Sequence, residues 1–249
     1  LLRLRLIQRI LWSGYVARPP LFSNVITFDH YIDLIYNTSF MHNVWNSFVI
    51  AAITTIICLA IGILGSYAMT RLKYPGRSFF RNSIIISYLM PTAVLFVPMY
   101  VFVSSLGFYD NKYALLIIYP TFVVPYCCYM LISYFKAIPY ALEEAALIDG
   151  CNRLQTLWYI IMPIALPGIA VVATFAFTMA WNEYLYAMIM TTSNVQKTAT
   201  VAISGFKYAD SAIWGRIMSA SVVCSLPVTL LYIVAQSMLI SGKYEGSVK

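Results

Sequence analysis

Five long stretches of this chain contain no charged residue: approximately Val44 to Thr70, Asn82 to Tyr109, Tyr113 to Phe135, Trp158 to Asn182, and Ile217 to Gly242. A bilayer core is crossed by about 20 apolar residues in helical form, so each stretch predicts a membrane span. Pro91, Pro98, Pro120, Pro125, Pro163, Pro167 and Pro227 fall inside them. In soluble helices that density of proline would be ruinous, but in a bundle neighbouring helices and Ser/Thr side chains satisfy the freed carbonyls. Kinked spans are expected, with the gaps between helices that a transport path requires. The fold class is therefore an all-α polytopic membrane protein. A lead-in over residues 1–43 precedes a core over 44–242, and residues 243–249 form a tail.

Charge fixes the expected orientation, because Lys and Arg accumulate on cytoplasmic loops. Arg71, Lys73, Arg77 and Arg81 crowd the connection after the first span and place it inside. Alternation then puts the Gly107–Lys112 turn outside, Lys136–Leu157 inside, Thr191–Arg216 outside, and the tail with Lys243 and Lys249 inside. The outer cations Lys112, Lys197, Lys207 and Arg216 are spread over a longer length, so the bias is moderate but agrees. Five spans with an internal C-terminus put Thr27–Asn43 outside, whereas Arg3, Arg5 and Arg9 make the start look cytoplasmic. Ile10–Ala17 is too short to cross between them. Either an N-terminal span is missing from this sequence, the preferred reading, or residues 1–12 form a basic amphipathic helix on the membrane surface.

Composition agrees. Apolar residues make up 61% of the 249, charged residues 10%, and the mean hydropathy is +0.77. A soluble domain carries about a quarter charged residues. Soluble enzymes and nucleic-acid binders are therefore poor readings, despite a net charge of +7. Cys58, Cys127, Cys128, Cys151 and Cys224 lack the spacing of a zinc site and read as small apolar side chains. His30 and His42 have no metal-like partners beyond Asp29 and Asp33 beside His30, and read as surface histidines. No metal site and no catalytic constellation is expected.

The loop Ala137–Gly168, AIPYALEEAALIDGCNRLQTLWYIIMPIALPG, is more specific. Pro139 suits the first turn of a helix, whose positive end favours Glu143 and Glu144. Ala145 and Ala146 leave a shallow surface for a partner's backbone. Gly150 permits a sharp bend, and Asn152–Tyr159 can form a second short helix leading into the next span. Such a helix–bend–helix suits docking into a cleft of a soluble protein. An amphipathic helix resting on lipid headgroups fits the same residues.

Glu144-Ala145-Ala146, Gly150, Ile160 and Met162-Pro163, at this spacing, resemble the EAA loop of binding-protein-dependent ATP-binding-cassette (ABC) permeases. That family usually has Leu-Pro at the last pair, so Met162 departs from it. Asn46-Ser47, Tyr67–Arg71, Tyr74–Arg77, Pro91 with Pro98, Gly107–Asp110, Ala180–Glu183 and the Gly-rich ending at Val248-Lys249 are similar to the carbohydrate-uptake branch, in particular the smaller permease of maltose-type importers. Only residues before about Thr27 lack a counterpart, where the family places its first span.

The resemblance implies a type I importer transmembrane domain in the bacterial inner membrane. Its partners would be a second permease, an ATPase dimer and an extracytoplasmic solute-binding protein. ATP and Mg would sit on the ATPase; no GxxxxGK[ST] loop occurs here, so no cofactor is expected on this chain. It further implies that the loop over 136–157 couples to the ATPase through Glu143, Glu144, Ala145, Ala146, Asp149 and Gly150. Asn182 and Glu183 close a span near the outer side and are candidates for the substrate path. Tyr119, Tyr126, Tyr184 and Tyr186 offer rings and hydroxyls to a sugar, though tyrosine also populates membrane interface belts. The loop around Lys207–Arg216 is a candidate docking surface for the binding protein. An ion-coupled carrier or channel would also be apolar and kinked, but the spans hold no buried acidic group apart from marginal Glu183. Amino-acid and phosphonate permeases share the loop, so a non-sugar solute stays open.

Overall fold

A computed structural model describes residues 27–208, 211–212 and 214–245, by backbone alone at 207–208, 211–212 and from 238 onward. The N-terminal readings on residues 1–26, the tail residues 246–249 and the side chains of the outer loop from Lys207 lie outside the described residues. A short helix, α1 (Asp29–Tyr36), leads into α2 (Phe40–Arg71), the first span. The second apolar stretch is two helices, α3 (Arg77–Leu89) and α4 (Phe96–Ser105), linked by a 3-10 turn over Thr92–Leu95 and bent by 91°. The third enters through Lys112–Ala114 and α5 (Leu115–Ile118), bends by 42°, and continues as α6 (Pro120–Ala137).

Next come α7 (Tyr140–Ile148), α8 (Arg153–Thr156) and α9 (Met162–Trp181). A π turn over Leu157–Ile161 joins α8 to α9 in one apolar segment. Two short helices, α10 (Leu185–Met190) and α11 (Ala199–Ser204), precede an antiparallel pair of two-residue strands, β1 (Lys207–Tyr208) and β2 (Ser211–Ala212). The last span is α12 (Trp214–Glu245). Among the described residues three helices are long and apolar enough to cross a bilayer, and up to five spans result when each bent pair counts as one.

The prolines act unequally. Met90 takes an extended conformation (ψ 128°) because the ring of Pro91 excludes the helical region for its predecessor, and the chain breaks there. Helices run on through Pro98, Pro125, Pro167 and Pro227. Pro163 cannot donate to the turn before it, and the π turn that precedes it is one way of absorbing that gap.

α2 is the central post, packed mainly on α6 and α9, with α12 against α9. At the crossing of α2 and α6, a Cβ on Gly62 would stand 2.9 Å from the Cβ of Cys127, so only glycine lets the two helices approach this closely. Cys58, Cys127 and Cys128 are buried there, while Cys151 and Cys224 are half-buried. One core cluster gathers Tyr67, Leu131, Phe135, Leu157 and Ile161. A second, toward the other end of the bundle, gathers Ile50, Ile118, Tyr119, Trp181 and Ala187. Outward positions such as Ile56 (67% exposed) and Leu230 (62%) are aliphatic, as suits contact with lipid.

Candidate coupling site and translocation path

α7 and α8 sit at the end of the bundle where α2 and α6 finish. α7 closes in a Schellman motif: Cys151 N–H donates to the Ala146 carbonyl (3.0 Å) and Gly150 N–H to that of Leu147 (3.2 Å). Gly150 carries φ +88°, so it is the bend that the sequence predicts. α8 opens with a reciprocal cap, Gln155 N–H on Asn152 Oδ1 (2.9 Å) and Asn152 N–H on Gln155 Oε1 (2.8 Å). Both ends of the bend are thus fixed by local hydrogen bonds.

The two glutamates face opposite ways. Glu144 is exposed, as are Ala145, Asp149 and Gly150. Glu143 is 2% exposed, and its carboxylate points into the protein. Glu143 Oε1 accepts from Tyr67 Oη (2.9 Å) and Arg153 Nη1 (2.7 Å), and Oε2 lies 3.7 Å from Arg71 Nε. Ala146 is also buried, beneath the helix. The acidic face expected of Glu143 and Glu144 together therefore belongs to Glu144 alone, because an inward cation cluster claims Glu143.

Arg71, whose side chain is wholly buried, is the pivot of that cluster. Its Nη2 donates to the carbonyls of Phe135 and Ile138 (2.6 Å to Ile138), and its guanidinium lies 4.2 Å from the centre of the Tyr140 ring. Its Nε and Nη1 make no hydrogen bond among the described residues, so the Glu143 charge 3.7 Å away and the Tyr140 ring offset their burial. Tyr140 Oη donates to the Thr70 carbonyl (2.7 Å), and Arg77 caps the same helix end through Met69, Leu72 and Thr70. Tyr67, Arg71, Tyr140 and Arg153 thereby lock α7 and α8 onto the ends of α2 and α6. Sequence reading missed this set, taking the two early arginines as markers of sidedness. An arginine that closes a charge-free run was the available signal.

The outward side of the segment is apolar as well as acidic. Leu142, Ile148, Leu154, Trp158 and Tyr159 are exposed, Ile148 to 85%. With Glu144 and Asp149 they make a surface that suits a groove with complementary cations.

At the opposite end, Asn43 and Asn46 of α2 hold the segment after α10. Asn43 Nδ2 donates to the Asn194 (2.8 Å) and Lys197 (2.9 Å) carbonyls, Asn46 Nδ2 to that of Val195 (2.8 Å), and Lys112 Nζ to Asn46 Oδ1 (2.7 Å). Asp110 accepts from Thr192 and Ser193 N–H, and the Ser193 amide foremost holds its carboxyl below the usual carboxylate range.

The path candidates separate. Glu183 caps α10, accepting from the Tyr186 (3.0 Å) and Ala187 (3.1 Å) amides, and from Tyr119 Oη (3.0 Å). Tyr119 is 1% exposed and Tyr186 is 3%, with its hydroxyl on the Thr92 carbonyl (2.9 Å), so both are structural in this state. Asn182 is exposed and Tyr184 half-buried. Tyr126 is nearly buried among other rings. His42 lies against the Val195 carbonyl, and His30 packs on Gly215. No group of three metal-ligating side chains occurs among the described residues.

Residues 61–241 match the family described as binding-protein-dependent transport system inner membrane component. The chain is 37% identical over 234 residues to the inner membrane ABC transporter permease protein YcjP of Escherichia coli, covering 93% of this chain and 83% of that one. It is 30% identical over 250 residues to the trehalose transport system permease protein SugB of Mycobacterium tuberculosis, covering 96% and 91%. Its fold is similar to that in the crystal structure of a bacterial ABC transporter that imports the acidic polysaccharide alginate. That likeness has a TM-score of 0.72 at 22% identity, over 85% of this chain and 79% of that one. The capped EAA bend at one end of a five-span bundle and the match over 61–241 agree: this chain belongs to the inner membrane components of binding-protein-dependent transport systems, as a non-catalytic ABC permease subunit.

Proposed function

We propose that this chain forms half of the pathway of a sugar importer, paired with a second, different permease and driven by an ATPase dimer that holds ATP and Mg. The observation that carries the coupling reading is the α7–Gly150–α8 segment. It presents Glu144 and an apolar surface outward while Glu143, Tyr67, Arg71 and Arg153 fasten it to the spans. A handle so fastened moves the bundle when its partner moves it. Closing of the ATPase dimer on ATP would swing the spans between inward-facing and outward-facing states, because nucleotide binds one state better. The coupling end then faces the cytoplasm, with the C-terminus. The end built by Asn43, Asn46 and Lys112 faces the binding protein. Glu143 acts here as a positioning residue, and Glu144 as the contact.

A sugar is the preferred solute because of the similarity to the trehalose permease and the carbohydrate-branch motifs. The test is uptake and ATP hydrolysis in proteoliposomes holding the complete importer. Glu144→Arg should leave insertion intact but depress uptake at least tenfold, since it places a cation where the partner groove is cationic. Unchanged uptake would remove the docking assignment. Import of an amino acid in place of trehalose or maltose would keep the coupling and replace the solute.

A further inference from the structure

Four spans bring aromatic rings together in one continuous tract. Tyr88 of α3 stacks on Tyr129 of α6, with centroids 5.3 Å apart and planes 11° from parallel, and its ring also lies 6.0 Å from that of Tyr126. Tyr126 meets Phe175 of α9 at 6.1 Å, and Phe175 meets Tyr232 of α12 at 6.2 Å. Tyr88, Tyr129 and Tyr232 are 40%, 40% and 51% exposed. The four phenol hydroxyls have no hydrogen-bond partner among the described residues.

Lipid is a poor neighbour for this tract. A phenol hydroxyl in hydrocarbon has nothing to bond, whereas a wet path would solvate it. The 91° break just beyond Tyr88 points the same way, with residues 90–94 all exposed. Irregular backbone at membrane depth occurs only where protein buries it or it lines a water-filled cavity.

We propose that Tyr129, Tyr88, Phe175 and Tyr232, braced from behind by the buried Tyr126, line the solute path and pass an uncharged saccharide along by stacking sugar C–H faces on the rings. The inference rests on the sugar-import reading and narrows it. No residue of the tract is charged, so an anionic solute would meet no counter-charge there. Of the tyrosines that the sequence singles out, only Tyr126 belongs to it.

The test uses the complete importer in proteoliposomes, in a Cys151→Ser, Cys224→Ala background. Tyr88→Cys, Tyr129→Cys and Tyr232→Cys, with Ile56→Cys as the lipid-facing control, are treated with a charged methanethiosulfonate and separately with a lipid-soluble maleimide. The tract cysteines should react with the charged reagent and Ile56→Cys only with the maleimide. Tract cysteines that react only with the maleimide would overturn the proposal, because the face then meets lipid. In uptake of radiolabelled trehalose or maltose, Tyr88→Ala should lose about tenfold and Tyr88→Phe should stay near the parent, the ring being the contact. Equal uptake by Tyr88→Ala and the parent would refute the stacking role. If the parent imports neither sugar, the sugar reading fails, while labelling by the charged reagent still decides whether the tract lines the path.

Discussion

Gly150 holds φ +88°, and a Cβ built there would meet no atom within 4 Å. Its substitution therefore strains the backbone without a clash. Gly150→Ala should cost about 1–2 kcal/mol at this turn, read as a lower unfolding midpoint in detergent, and Gly150→Asn should cost less. Glu143→Ala is of a different kind: it strips the buried Arg71 guanidinium of its carboxylate, and about 2 kcal/mol or more should be lost in the same measurement. Glu143→Gln, still able to bond Tyr67, should be milder. Which glutamate faces inward was not legible in the sequence. Tyr140–Ile148 is apolar on both sides, and the facing is chosen by Tyr67 and Arg153 from other elements.

Asp33 of α1 is paired with Arg216 of α12, with Oδ1 3.0 Å from Nη2. The Arg216 bond, then that from Asn37, lowers its pKa from 3.8 to about 2. A depressed carboxyl contributes stability above its unfolded value and loses it as pH falls through the folded one. Protection of α1 amides against hydrogen exchange should therefore fall between about pH 4 and pH 2, and Arg216→Gln should flatten that dependence.

Among the elements, the crossing of α2 and α6 is the most constrained. Gly62→Val drives a side chain into Cys127 at a contact already closed to a methyl group. It should cost about 1–3 kcal/mol and lower the melting temperature of the purified protein. The five spans could be read from the absence of charge alone, since the bilayer sets their length. Their bends could not. Pro91 breaks the chain while Pro125, Pro167 and Pro227 do not, and the charge-free sequence around them does not separate the two outcomes. The short helices α10 and α11 also went unforeseen. Glu183, itself held by Tyr119, accepts from the first-turn amides of α10, and Ser47 of α2 accepts from the Ala199 amide at the start of α11, so both starts depend on side chains distant in sequence.

In the whole molecule, one end is organised by arginines around α7 and α8 and the other by asparagines and Lys112 around the segment after α10. Each end joins several spans, so displacement of one is carried by rigid helices to the other. The helix–bend–helix at Gly150 was legible in the sequence, whereas the fastening beneath it was assembled by the fold from Tyr67, Arg71 and Arg153. The central claim is that this segment is the cytoplasmic handle for an ATPase. It is tested most directly by labelling Ile148→Cys, in a Cys151→Ser background, with a membrane-impermeant maleimide in inside-out vesicles stripped of the ATPase. The account predicts rapid labelling that stops when the ATPase subunit is added back. Labelling from the outer face of intact cells, or labelling indifferent to the ATPase, would contradict it.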